Sequence, residues 1–311
     1  MRILLSGMLG HMGKEVVNLL ESGFRGMELA AGLDASVKSI KDDKANEVVN
    51  NTCSDKNDEI AANACTDRSS RKASDVCTNQ ASQASSSACA KKDSHAVIIG
   101  NVNCYAEFSQ VPVKELGIDC IVDFSHHAAT KDLTDFAVAN RLPLVLATTG
   151  QTDEELAMIH AASKEIPLFF AANYSVGIAI LIELAKKTAA LMPDAEVEIV
   201  EMHHDRKLDA PSGTALAIAR GVSSVRNNAP ITTGRSGLGK RTKEEIGVQA
   251  VRMGNIVGIH EVLIGTNNQT ITLKHEAHSR ALFAEGALAA ADFMAGKAPG
   301  LYDMTHMVSM K

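Results

Sequence analysis

Residues 2–13 read RILLSGMLGHMG, and this stretch decides the fold class of the chain. Residues 2–6 have the pattern of a short strand, and apolar residues with helical spacing follow between Val16 and Leu20. The glycines in between fall as GxxGxxG, a variant of the dinucleotide-binding fingerprint, in which a turn without Cβ atoms lets the backbone approach a pyrophosphate at a helix N-terminus. A structural turn with three glycines would give the same pattern, so a second signal is needed.

The second signal is an acidic residue at the end of the next predicted strand. Asp34 follows Gly13 by 21 residues, which is where the acid of a dinucleotide-binding unit binds the adenosine ribose hydroxyls. A carboxylate there repels a 2′-phosphate, and Ala35 supplies no compensating cation, so we expect NADH to be favoured. Lys38 and Lys41 are close enough in sequence to soften that preference, and NADPH stays open as a second cofactor.

Predicted strands and helices alternate through the first half of the chain. The strands lie at residues 2–6, 27–33, 120–124, 142–147 and 167–172, and helix-like segments follow several of them. Thr152 and Glu155 have the capping-box spacing that begins a helix. Repeated strand–helix units predict the α/β class with a Rossmann-like, doubly wound parallel sheet, whose ligands bind beyond the carboxyl ends of the strands.

Composition and charge exclude several classes of function. The 311 residues are 45% hydrophobic and 22% charged, which is typical of a globular protein with room for two domains. A formal net charge of -6 argues against nucleic acid as a partner, and an aromatic content of 4% without Trp argues against a base-stacking surface. We find no apolar run of membrane-spanning length, and we expect a cytoplasmic protein with a small-molecule ligand and no membrane partner.

A segment around residues 36–94 departs from this pattern. Its four cysteines, Cys53, Cys65, Cys77 and Cys89, recur every twelve residues, and it has no aromatic residue and few branched aliphatic ones. Such a composition buries little apolar area, so we expect a mobile surface insertion. A four-thiolate metal site is the alternative, but structural zinc sites usually pair their ligands as CxxC, and we therefore predict no metal.

The densest group of reactive side chains lies at residues 201–214, which read EMHHDRKLDAPSGT. Ser212, Gly213 and Thr214 precede an apolar helix, so their hydroxyl and N–H groups can hold a carboxylate of a substrate. Two histidines, at 203 and 204, and a lysine at 207 supply proton donors beside that site. The alternative is a purely structural role, in which nearby carboxylates bind the two histidines at the end of the strand and the lysine is solvated. Zinc binding is less favoured, because adjacent strand residues point to opposite faces.

A second domain is predicted from strands with a different pattern. Residues 196–202, 255–265 and 270–277 read as strands, and 266–268 read as a hairpin turn. They indicate a second α+β domain built on a mostly antiparallel sheet.

With these motifs the chain resembles the 4-hydroxy-tetrahydrodipicolinate reductase family, whose members are also called dihydrodipicolinate reductases. The motif that carries the resemblance is ExHHxxKxDAPSGTA, residues 201–215, and it is far more specific than a glycine pattern. Supporting motifs are GxxGxMG at 7–13, VDFS at 122–125, TTG at 148–150 and FAANYSVG at 170–177. The resemblance covers residues 1–34 and 96–311, nearly everything except the cysteine-bearing segment.

The resemblance implies roles for individual residues. It implies NAD(P)H-dependent reduction of 4-hydroxy-tetrahydrodipicolinate in the diaminopimelate route to lysine, with hydride delivered to a cyclic imine formed after loss of water. His203 and Lys207 would be catalytic, Lys207 as the proton donor, and His204, Gly213 and Thr214 would bind the dicarboxylate substrate. The implied cofactor-binding residues are Gly7, Met8, Leu9, Gly10, His11, Met12, Asp34, Ala147, Thr148, Thr149, Ala171, Ala172, Asn173 and Tyr174.

The resemblance also implies the organisation of the whole protein. Residues 1–174 and 280–311 would form the dinucleotide-binding domain, and residues 175–279 the substrate-binding domain, through whose sheet the chain would form a homotetramer. Arg280 would face the substrate or pair with a neighbouring acid. Two departures from the family pattern stand out: Ala35 replaces a common basic residue, which puts NADPH use in doubt, and Ala147 replaces a common glycine.

Two other functions compete with this interpretation. Another two-domain dehydrogenase, such as one acting on an amino-acid semialdehyde, would need a different substrate loop or a cysteine nucleophile, and neither Cys104 nor Cys120 has such a setting. A sensor that binds NAD without turnover would be expected to lose His203 or Lys207, and both are present.

Overall fold

The computed structural model describes residues 1–38 and 96–309. The four repeated cysteines therefore lie outside the described residues, as does all of the predicted insertion after residue 38. The strands are β1 Arg2–Ser6, β2 Glu28–Leu33, β3 Ala96–Ile99, β4 Val102–Tyr105, β5 Cys120–Asp123, β6 Leu144–Leu146, β7 Pro167–Phe170, β8 Glu196–His203, β9 Ile231–Thr233, β10 Ile246–Arg252, β11 Gly258–Thr266, β12 Gln269–Ala277 and β13 Gly300–Tyr302. The α-helices are α1 His11–Glu21, α2 Val113–Leu116, α3 Thr130–Asn140, α4 Asp153–Ala162, α5 Val176–Leu191, α6 Gly213–Ser224, α7 Ala281–Met294 and α8 Met304–Val308.

The first sheet is the predicted doubly wound sheet. Its strand order is β13-β7-β6-β5-β1-β2-β4-β3, and its pairs are parallel except for the β3–β4 hairpin at one edge. Buried side chains alternate between its faces: Ile3 and Leu5 pack on the side of α1 and α7, whereas Leu4 packs on the side of α3 and α4. Helices on both faces leave the carboxyl ends of the parallel strands as the edge at which a ligand can bind.

The second sheet is mixed and mostly antiparallel, in the order β12-β11-β8-β10-β9. The long pairings of β11 with β12 and β8 are antiparallel, and β10 runs parallel with β8 and β9. Residues of α5 and α6 cover one face, where Val197 and Ile199 of β8 are buried. The other face carries every second residue of each strand and is partly exposed.

The predicted fold class is confirmed by these two sheets. The strand predicted at 2–6 has the observed bounds, and the capping box at Thr152 is formed, with the Thr152 hydroxyl accepting from the Glu155 N–H. The predicted hairpin turn is also present, with Asn267 and Asn268 between β11 and β12. Among the described residues, no helix has both the length and the apolar character that crossing a membrane requires.

Candidate active site

The glycine-rich turn after β1 is shaped for close approach by a ligand. Gly7 has φ of +77°, and a Cβ atom there would lie 2.6 Å from the carbonyl carbon of Phe124. A Cβ on Gly13 would lie 2.1 Å from the Gly7 oxygen. Helix α1 begins after Gly10, and in the described part of the chain no side chain caps its first turn. Bare backbone and free N–H groups at a helix N-terminus fit a dinucleotide pyrophosphate.

Asp34 connects the end of β2 to this turn. One carboxylate oxygen accepts a hydrogen bond from the Leu9 N–H at 2.9 Å, and the other accepts from the Ser36 hydroxyl at 2.5 Å. Lys38, which could have offered a cation nearby, forms an ion pair of 2.7 Å with Glu107. The acidic residue that the sequence predicted for the ribose is therefore fixed beside the glycine turn, with the nearby lysine engaged elsewhere.

The ends of β5, β6 and β7 meet next to the glycine turn. Asp123 is 1% exposed, and burial raises its pKa, although hydrogen bonds from Ser125 and Thr148 oppose the rise. The Ser125 hydroxyl donates to Asp123 at 2.6 Å, and the Thr148 hydroxyl also donates to it. The buried Tyr174 hydroxyl donates to the Leu146 carbonyl at 2.8 Å. Asp123 thus orients Thr148. The VDFS motif alone does not predict this role, because the contact depends on two strand ends that meet only in the folded sheet.

His203 is the last residue of β8, and a carboxylate binds its imidazole. The side chain is buried, and its Nδ1 lies 2.5 Å from Oε2 of Glu201, which is fully buried. The backbone N–H of Ser212 donates to the other Glu201 oxygen at 2.9 Å, and the Ser212 hydroxyl accepts from Ala215 as the N-cap of α6. The predicted anion-binding turn and the predicted histidine are therefore joined through one buried carboxylate.

Lys207 lies in the loop that follows. Its ammonium is 2.7 Å from the Asp209 carboxylate, and this hydrogen bond holds the pKa of Asp209 below its usual value. His204 is partly buried, which lowers its pKa, and nearby arginines, Arg206 and Arg280, lower it further. Lys207 is thus paired with an acid in the loop after β8, and 23% of its side chain is exposed.

A small cavity brings several of the predicted residues together. His203 and Thr214 line it from the second sheet and α6, and Asn173 lines it from the end of β7. The amide of Asn173 donates to the Thr214 hydroxyl at 3.1 Å, which links the loop after β7 to the start of α6. His260 and Gly258 of β11 complete this side of the cavity. A ligand here would touch the ends of both sheets.

Among the residues of this region that sequence reasoning missed are Arg252 and His260. Arg252 donates two hydrogen bonds to Glu201, at 2.9 and 2.7 Å, and is the register partner of His203 in the β8–β10 pairing. His260 Nε2 lies 3.3 Å from the Ser212 hydroxyl. Both residues are distant in sequence from the HHxxK motif, and only strand pairing brings them to it.

Two models of one protein family match this chain, one in each half. The family model "Dihydrodipicolinate reductase, N-terminus" matches residues 1–101 and 69–174, two overlapping stretches, and "Dihydrodipicolinate reductase, C-terminus" matches residues 177–308. Together these matches extend over most of the sequence.

Individual relatives agree with the family models. A 4-hydroxy-tetrahydrodipicolinate reductase of Caldanaerobacter subterraneus is 46% identical over 192 residues, which are 61% of this chain and 76% of that protein. The reductase of Clostridium perfringens strain SM101 is 33% identical over 312 residues, covering 99% of this chain and 98% of that protein. Among solved structures, a dipicolinate-bound dihydrodipicolinate reductase from Paenisporosarcina sp. TG-14 has a TM-score of 0.66 at 22% identity, covering 99% of this chain and 98% of that one. At that identity the structural likeness shows the fold alone.

Proposed function

The chain belongs to the dihydrodipicolinate reductase family, and from this we infer that it is an oxidoreductase that reduces 4-hydroxy-tetrahydrodipicolinate to tetrahydrodipicolinate with NAD(P)H. Its curated relatives are named for this reductase, one of them over almost the full length of both chains. The product belongs to the diaminopimelate route of lysine biosynthesis. The observation that carries the proposal is the cavity in which Asn173, His203 and Thr214 meet.

We assign the catalytic roles to His203 and Lys207. The nicotinamide cofactor, when bound, supplies the hydride. Lys207 is the donor of the proton that completes the reduction, and substrate draws its ammonium away from Asp209, 2.7 Å distant. His203 lines the cavity and assists Lys207, polarising the ring of the substrate when its Nε2 also carries a proton.

The substrate carries two carboxylates, and the start of α6 supplies donors for them. Ser212 caps the helix, which leaves the N–H groups of Gly213 and Thr214 at its positive end. His204 completes the set from the end of β8. Gly213 is exposed, and a Cβ there would meet nothing within 4 Å, but its N–H donates to the Asp209 carboxylate, which an incoming anion would have to replace.

We propose that NADH is the favoured cofactor and NADPH the weaker one. Asp34 puts a carboxylate where a 2′-phosphate would lie, and Ala35 offers no cation. Lys38 forms an exposed ion pair with Glu107. The proposed contacts are the turn of residues 7–12 for the pyrophosphate and the segments 147–149 and 171–174 for the nicotinamide half.

We also propose the organisation that goes with this function. All strands of the first sheet lie within residues 1–174 and 280–311, and all strands of the second within 175–279, which supports a dinucleotide-binding and a substrate-binding domain with those bounds. The partly exposed face of the second sheet supports a homotetramer. We also propose that the enzyme is cytoplasmic.

The test follows absorbance at 340 nm with NADH and then NADPH, while added dihydrodipicolinate synthase makes the unstable substrate in place. We expect NADH consumption, a lower kcat/KM with NADPH, and a fall in kcat of about 100-fold or more in Lys207→Ala, because a general acid contributes on that scale. Lys243→Ala, an exposed lysine paired with Asp194, is the matched control and should retain activity. NADH binding without turnover would favour a nucleotide sensor, and an active Lys207→Ala would remove that residue from the mechanism.

A further inference from the structure

Glu201 is a buried carboxylate with an unusually complete set of donors. It is 0% exposed, and it accepts from both Nη atoms of Arg252, from the Ser212 N–H and from His203 Nδ1. Burial on its own raises the pKa of this carboxyl, but the hydrogen bonds from Arg252, His203 and Ser212 outweigh burial and hold the pKa below the usual value. Glu201 is therefore ionised and can only accept hydrogen bonds.

An ionised Glu201 determines which nitrogen of His203 faces the cavity. Because the carboxylate can only accept, Nδ1 of His203 must carry a hydrogen, and Nε2 is the nitrogen left to exchange a proton. Nε2 points towards Gly258: a Cβ atom there would lie 3.1 Å from Nε2. Glycine at 258 therefore keeps the working side of the imidazole open.

Arg252 connects this arrangement to the loop of Lys207. Besides binding Glu201, its guanidinium donates to the backbone carbonyl of Asp209 at 2.5 Å. Asp209 is the residue whose carboxylate pairs with Lys207. One side chain on β10 thus contacts both the support of His203 and the loop that presents Lys207, and its charge balances that of Glu201.

We propose that Glu201 and Arg252 are positioning residues for the reduction: Glu201 fixes the Nδ1–H tautomer and the orientation of His203, and Arg252 holds Glu201 in place relative to the loop of Lys207. The inference rests on the proposed function for its effect on turnover. The tautomer of His203 is a property of the free protein and can be measured without substrate.

Glu201→Gln is the sharpest test, because the amide keeps the shape of the carboxylate. Oε1 accepts from the Ser212 N–H and one Nη of Arg252, and Oε2 accepts from the other Nη and from His203. Of these four partners only the imidazole can change from donor to acceptor, so the oxygen of glutamine is drawn to the Oε1 position and its NH₂ faces His203 Nδ1. Nδ1 must then accept, and the hydrogen moves to Nε2. We expect the ¹⁵N spectrum of histidine-labelled protein, with His203 assigned from its loss in His203→Asn, to show Nδ1–H in the wild type and Nε2–H in Glu201→Gln. The kcat should fall about 100-fold or more with KM within about threefold.

Two further variants separate positioning from a purely structural role. Ile199→Ala creates a cavity two residues away on the same buried face of β8, and it should lower the unfolding free energy while retaining kcat and the Nδ1–H tautomer of His203. Arg252→Lys keeps the positive charge but loses the bidentate contact with Glu201. It should preserve the Nδ1–H tautomer of His203 while lowering kcat about tenfold or more.

The outcomes are distinct. If His203 keeps Nδ1–H in Glu201→Gln, or if Ile199→Ala loses as much kcat as Glu201→Gln, the role of Glu201 is overturned. Wild-type kcat in Arg252→Lys overturns the role of Arg252. If the wild type does not turn over the substrate, the proposed function fails, and the tautomer measurement still decides the inference about Glu201.

Discussion

His260 is a histidine that the fold keeps neutral near physiological pH. It is 4% exposed, and burial lowers its pKa to about 4, with His203 and His275 adding to the shift and Glu201 opposing it. Its Nε2 lies near the hydroxyl of Ser212. A neutral histidine beside the N-cap of α6 adds no charge to the proposed substrate site.

This shift predicts that acid destabilises the protein. An unfolded histidine has a pKa near about 6.5, so between that value and about 4 the unfolded state binds a proton that the native state does not. The contribution of His260 to stability is therefore complete above about pH 6.5 and declines as the pH falls, by about 3 kcal/mol near pH 4. Urea unfolding at fixed protein concentration across this range should show a shallower decline in His260→Gln.

The matched control for this prediction is His160→Gln, an exposed histidine of α4. His204 and His275 also have lowered pKa values through burial, so some of the decline will persist in His260→Gln. An unchanged pH dependence in His260→Gln would contradict the prediction.

At the residue scale, the sequence predicted what lies within one contiguous motif. His203 and Thr214 could be named because they belong to one contiguous motif, which runs from the end of β8 to the start of α6, and the cavity brings them together with Asn173. Arg252 could not, because its contact with Glu201 exists only through the register of β10 on β8. Long-range strand pairing leaves no local pattern in the sequence.

At the scale of elements, helix α7 packs directly on the backbone of the proposed nicotinamide-binding segment. A Cβ atom on Gly286 of α7 would lie 1.7 Å from the carbonyl oxygen of Tyr174. Tyr174 itself is anchored by its hydroxyl on the Leu146 carbonyl. The close approach of α7 therefore fixes the position of this loop.

We predict that Gly286→Ala destabilises the protein by about 2–4 kcal/mol, because neither backbone can move without disturbing the core. Helix propensity alone would predict the opposite effect, because alanine stabilises a helix relative to glycine. NADH binding, followed by the fluorescence of the bound cofactor, should weaken as well. Gly239→Ala, where a Cβ would meet nothing within 4 Å, is the control. Equal unfolding midpoints for the two variants would show that α7 can shift freely.

The strands were predicted where their pattern is local and missed where it is not. Strands β6 and β7 are apolar throughout, and β5 is apolar up to its last residue, Asp123, which is typical of a sheet covered on both faces. The predicted segments contain all three strands. Strand β10 was missed, because its residues 246–252 combine apolar, glycine and polar residues without alternation. A Cβ atom on Gly247 would lie 1.9 Å from Oε2 of Glu198 on the neighbouring strand, a contact visible only in the folded sheet.

At the scale of the whole molecule, the partly exposed face of the second sheet is the surface that we propose for assembly. Val200 and Met202 of β8 and Ile259 and Leu263 of β11 point to it, and all four are partly exposed. Charged residues such as Lys274 and Glu261 lie on the same face and pair with each other at 3.6 Å. An apolar band with polar neighbours is typical of a surface that a second copy covers.

We therefore predict that the wild type sediments as a tetramer at micromolar concentration and that Leu263→Glu sediments as a smaller species. Burying an unpaired carboxylate in the interface would cost about 3 kcal/mol or more, which weakens association over 100-fold. Leu191→Glu, on an α5 residue that is 74% exposed, is the control and should remain tetrameric. A wild type that sediments only as a monomer would contradict the tetramer, whereas a tetrameric Leu263→Glu would mean that assembly uses a different surface of the chain.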